Sequence, residues 1–87
     1  MYHLEDWGRR KAEIGAAFRQ ALPFFPETAD AAFYRALMAR LNVASMQDHA
    51  ILYNIVEDAI MAAKRENKPT DALKAFKDWL QQVRLGL

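Results

Sequence analysis

The chain contains no cysteine, which removes a disulfide framework, a thiolate zinc site and a cysteine nucleophile together. Glycine is scarce as well. Gly8, Gly15 and Gly86 stand apart from one another, so no glycine-rich loop exists to cradle a phosphate. Neither sign of charge prevails: twelve basic side chains face eleven acidic ones, a net charge of +1. A protein that lives on phosphate backbones shows a marked basic excess instead. No apolar run approaches the roughly 20 residues needed to span a bilayer. The opening "MYHLEDWGRRK" lacks the cationic stretch and apolar run of a secretory signal. The expectation is a cytoplasmic protein with no membrane contact.

What is present is helix-forming sequence. Eighty-seven residues make one domain, and a chain of that size buries only roughly 60% of the surface it exposes when unfolded. The hydrophobic fraction is 53%, but much of it is alanine, which covers little area. Stability must come from close helix packing or from a second chain.

The apolar residues recur at helical spacing in four segments, and none shows the strict alternation of a half-buried strand. Leu4, Trp7, Lys11, Ile14, Phe18, Ala21 and Phe25 outline a first helix over about 4–22, with Lys11 the one polar intruder. Gly8, Ala12 and Gly15 sit near one face of it. Such small residues let another helix come close; alternatively, Gly8 is a hinge that frees residues 1–7 as a docking arm. Pro23 and Pro26 then break the pattern. Thr28 as N-cap and Asp30 in the first turn predict a second helix over 28–41, with Phe33, Tyr34, Leu37, Met38 and Leu41 on its buried face.

Ser45 and Asp48 fit a capping box that opens a third helix over 45–66. Its stripe of Ile51, Leu52, Ile55, Val56, Ala59, Ile60 and Ala63 is the cleanest in the chain and marks it as central. Asn67 and Pro69 stop it. Thr70 and Asp71 open a fourth helix over 70–85 with Leu73, Phe76, Leu80 and Val83 inward, Trp79 flanking, and Gly86 as a C-terminal stop. Short connections favour antiparallel neighbours. The expected fold is all-α, either a four-helix up-and-down bundle or two packed helical hairpins.

The break at Asn42–Ser45 raises the question of a helix-turn-helix DNA reader over residues 42–56. Leu37, Leu41, Val43 and Ile51 overlay the motif's apolar positions, yet Asp48 falls where an apolar residue should wedge. The first turns of the third helix offer Gln47, Asp48, His49 and Tyr53, then Glu57 and Asp58. Acids repel phosphates, so the segment reads as a plain interhelical turn, with a small DNA-binding regulator as the alternative. Arg9, Arg10 and Lys11 spread around their helix within reach of Glu5, Asp6 and Glu13, the pattern of a self-paired face.

Chemistry is sparsely provided. The chain has two histidines. His49 and Glu57 lie about 12 Å apart along a helix axis and cannot share an ion unaided, so His49 reads as a packed or capping residue. Glu57 and Asp58 diverge on a helix and cannot work as an acid–base pair. Ser45, the only serine, is committed to capping. No catalytic, cofactor or metal site is expected. A ligand pocket of Phe18, Phe33, Tyr53 and Trp79 is allowed by composition alone.

There remains an apolar surplus. Tyr2, Trp7, Phe24, Phe25, Met46, Met61, Trp79 and Leu85 are the candidates for a partner-binding surface made of the N-terminal arm, the Phe24–Phe25 corner and the end of the fourth helix. Aromatic residues and methionine are enriched in interface cores. The expected function is therefore a non-catalytic protein-binding module, such as an accessory subunit, adaptor or inhibitor of a larger protein. Its partner would be another protein or a second copy of itself.

Overall fold

Helix α1 runs from Leu4 to Ala21 and passes through a single 3-10 turn, Leu22–Phe24, before α2 (Ala31–Arg40), α3 (Met46–Arg65) and α4 (Asp71–Gln82). The computed structural model describes residues 4–83, with side chains from residue 6 onward. The fold is all-α, a small helical bundle, as the periodicity predicts. The molecule measures 39 × 28 × 19 Å, and its short dimension is two helix diameters of roughly 10 Å each. Helix α1 continues unbroken through Gly8. Residues 1–3 of the suggested arm and the suggested stop at Gly86 lie outside the described residues.

The helix ends show which local signals decide. Asp30, not Thr28, caps α2: its carboxylate accepts from the Phe33 amide at 3.1 Å. Aspartate caps at least as well as threonine, and Asp30 sits directly before the apolar positions, so the helix starts later than predicted. At α3 the Ser45 hydroxyl accepts from the Asp48 amide at 3.1 Å, but the return half of the capping box is replaced. The Asp48 carboxylate turns to Arg10 on α1, with contacts of 3.2 and 3.1 Å. A charged guanidinium is a stronger donor than a backbone amide. At α4, Thr70 holds the N-cap position without a side-chain hydrogen bond.

The two reversals that flank α3 share one design. Asn42 and Asn67 adopt positive φ, 62° and 57°. After α2, Asn42 N–H donates to Ala39 and Val43 N–H to Met38; after α3, Asn67 donates to Lys64 and Lys68 to Ala63. Each is the double carbonyl capture of a Schellman ending, with asparagine in the left-handed position where glycine is commonest.

Helix α3 is the centre. Helix α1 runs in the same direction beside it: Arg10 reaches Asp48, Gly15 faces Ile55, and Arg19 and Leu22 share a hollow with Ala59 and Ala62. Helix α4 runs the opposite way, with Tyr53 meeting Gln81 and Glu57 meeting Lys77. Helix α2 leans on α4 through Tyr34, whose ring lies 4.9 Å from Phe76 and 5.3 Å from Trp79.

The core is aromatic at its middle. Phe76 has no exposed surface and neighbours Phe18, Phe25, Tyr34 and Trp79. Tyr34 is equally sealed, and its hydroxyl finds no hydrogen-bond partner. Burial pushes that hydroxyl above the ordinary phenol range. The Asp30 backbone pulls the other way, without the alignment of a hydrogen bond.

Candidate protein-binding surfaces

The eight residues singled out from sequence do not form one patch. Tyr2 and Leu85 lie outside the described residues. Phe25 and Trp79, expected to be hard to place inside, are half-buried and turned inward. Phe25 packs against Phe18, Phe33, Tyr34 and Phe76, and Trp79 stacks on Phe76 and lies tilted against Tyr34. Two neighbouring aromatics in one loop cannot both enter so small a core, and the 3-10 turn sends Phe25 in and Phe24 out. Trp7 is half-buried against the core.

The open ones are Phe24 at 75% exposure, Met61 at 59% and Met46 at 47%, joined by Val83 at 39%. They point to different places. Met46 starts α3, and Phe24 follows the end of α1, which lies alongside Ala59 and Ala62, about 20–24 Å along α3 at 1.5 Å per residue. Met61 faces away from the side of α3 that carries Ile55 and Ala62, as its helical angle requires.

A larger apolar feature lies elsewhere. Ile14, Phe18, Ile51 and Ile55 are buried where α1 meets α3, and beside them the helices part into a hollow of about 500 Å³ that Phe18 and Ile55 also line. Gly8, Ala12, Gly15 and Arg19 line it from α1, and Ile55, Asp58, Ala59 and Ala62 from α3. A second hollow of about 470 Å³ shares Arg19, Leu22, Ala59 and Ala62 with the first and continues past Phe25 to Pro69, Ala72 and Leu73. Together they form one trough from the start of α1 to the start of α4. Gly8, Ala12, Gly15, Ala59 and Ala62 make up much of its lining, with Phe18, Leu22 and Ile55 among them. A Cβ built on Gly8 would meet no atom within 4 Å.

The charges on the trough are mostly settled. Lys11 bonds Asp58 at 3.3 Å, and Lys68 bonds Glu66 at 3.2 Å. Arg19 lines both hollows and has no ion pair among the described residues. The sequence places Gly8, Ala12 and Gly15 near one face of α1. Ala59 and Ala63, expected in the core stripe, are half-buried and line the trough. The i, i+3 pairing of Ala59 with Ala62 was the signal available for the opposite wall.

Several other polar side chains are engaged within the chain. In the Arg9–Lys11 cluster, Arg9 pairs with Asp6 and Arg10 with Glu13 as predicted, whereas Lys11 crosses to Asp58 on α3. Arg10 also donates to the Asn42 carbonyl at 3.3 Å. Its guanidinium is held charged above its usual range, chiefly by the hydrogen bond to Asp48. His49 caps α4, with Nε2 3.1 Å from the Leu80 carbonyl. A carbonyl only accepts, so Nε2 carries the proton. Two side chains at the start of α3 that a DNA reader would present, Asp48 and His49, are thus engaged inside the chain. Of the suggested ligand pocket, Phe18, Phe33 and Tyr53 line separate hollows.

Among the described residues no group of three or more His, Cys, Asp and Glu is placed to hold a metal ion. None of the described helices is long and apolar enough to cross a membrane. Compared with known proteins, the chain matches no family model, no curated protein and no solved structure.

Proposed function

We propose that this chain is a non-catalytic protein-binding module, an accessory subunit, adaptor or inhibitor of a larger protein, that seats an apolar helix in the α1–α3–α4 trough. The observation that carries this reading is the trough itself, two hollows joined through Arg19, Leu22, Ala59 and Ala62. Helix-in-groove recognition needs an elongated apolar cleft, and a floor of glycine and alanine lets a second backbone approach closely. Gly8 supports it. A glycine inside a helix costs about 0.5–1 kcal/mol relative to alanine, and no packing within the chain calls for one there. Arg19, unpaired at the join, fits an occupant with a carboxylate near its middle.

The test uses Ala12→Leu. Ala12 is exposed on α1, and leucine is a good helix former, so the fold tolerates the change while the larger side chain blocks the trough. Partners captured from native extract by the wild-type chain are expected to be lost with Ala12→Leu at an unchanged melting temperature. The same partners retained by the variant, or none captured by either chain, would defeat the proposal.

A further inference from the structure

Phe24 is the most exposed large hydrophobic side chain among the described residues, at 75%, and it stands beside a hole. Ala21, Phe24, Phe33, Ala36, Leu37 and Arg40 line a hollow of about 150 Å³ where the end of α1 meets α2. An apolar cavity of roughly 150 Å³ is the size that accepts a benzene ring. The ring that would fill it cannot be Phe24 of the same chain, which forms the wall. A patch that carries both a protruding phenyl ring and a phenyl-sized hole is self-complementary. That is the requirement of a two-fold interface, in which residue i of one copy meets j of the other and j meets i.

The charges agree. Arg40 lines the hollow from the last turn of α2. Glu27 follows Phe24 closely in the same loop. Neither has an ion pair or hydrogen bond of its side chain among the described residues. Across a two-fold axis through the patch, the acid beside the knob meets the cation beside the hole, twice. Like-charged rims would have set the copies apart; these attract.

We infer that a second copy of this chain docks at the Phe24 corner, each Phe24 ring entering the other copy's hollow between α1 and α2, with Glu27 of each facing Arg40 of the other. This surface is distinct from the trough and leaves it free for a partner. One knob per copy makes an interface below the standard size, so assembly is weak and concentration-dependent.

Sedimentation velocity on the full chain from about 10 µM to about 1 mM covers the range expected of so small an interface. The average mass is expected to rise toward that of a dimer with concentration. Phe24→Ala is expected to weaken association at least about tenfold, since one buried anchor is lost from each side, with the melting temperature unchanged because the ring is exposed in the monomer. Glu27→Arg and Arg40→Glu are each expected to weaken it, and the double variant to restore it; Arg40→Gln stands in should Arg40→Glu fail to fold. Ala12→Leu is expected to leave association as it is. A mass that stays monomeric throughout overturns the inference. So does Phe24→Ala that associates like wild type, a double charge swap that restores nothing, or association abolished by Ala12→Leu. Apart from the last, these results leave capture of a partner in the trough untouched, because Ala12→Leu tests that capture by itself.

Discussion

The two sides of the α1–α3 contact are built from opposite materials. On the inner side Ile14, Ile51 and Phe76 belong to one buried cluster, and Phe76 keeps no exposed surface. On the outer side Gly8, Ala12, Ala59 and Ala62 leave a trough. The same pair of helices is therefore closed by large residues and held open by small ones, and the spacing between their axes is set by the closed side. The buried core and the open trough fall on different faces of one helix. A change on the inner face should register in stability, and one on the outer face in binding.

Phe76→Ala challenges the inner side most severely. It empties the centre of the aromatic cluster, and a loss of about 3–5 kcal/mol is expected from a fully buried phenylalanine. In a chain of 87 residues that is a large share of the total stability, and a urea titration reads it directly. A loss below about 1 kcal/mol would mean the cluster is loosely packed and the comparison wrong.

Gly8→Ala probes the outer side and has the opposite sign. With no atom within 4 Å of the new methyl group, helix propensity alone acts, and thermal unfolding should show a gain of about 0.5–1 kcal/mol. A loss would show that Gly8 is held by contacts inside the chain, and the argument for a partner there would fail.

The smallest effect belongs to Tyr34→Phe. The hydroxyl is sealed without a partner, so its removal should be neutral or stabilising by up to about 1 kcal/mol near neutral pH. The pH dependence has a definite sign. The folded chain holds the Tyr34 proton above the ordinary phenol value, so the unfolded chain loses its proton first. Stability from this group is complete below about pH 10 and falls as pH rises from there through the folded value. Alkaline titrations of stability should show a shallower decline for the variant than for wild type; identical slopes would place the hydroxyl in contact with solvent.

Much of the fold was legible because helix spacing and caps are local. The stripe from Ile51 to Ala63 and the stops at Asn42 and Asn67 are written in adjacent residues, and α1 and α3 begin and end within one residue of expectation. What was not legible depended on competition at a distance. Asp48 has a local role in the capping box and a distant one with Arg10, and only the fold decides between them. Phe24 and Phe25 are equivalent by composition, and the 3-10 turn separates them. Large residues stand out as candidates because a surplus of bulk can be counted in a sequence. The trough is a shortage of bulk, visible only once two helices stand side by side.

The paired asparagine reversals carry a further consequence, for which substitutions the chain can accept. At Asn42 and Asn67 the backbone dihedral, not the side chain, is under constraint, and β-branched residues resist that geometry. Glycine would relax the bend while making the denatured coil more disordered, two effects that nearly cancel. Both sites should therefore drift among asparagine, glycine and aspartate and shun valine, isoleucine and threonine, a pattern of permitted variation governed by torsion rather than by contact.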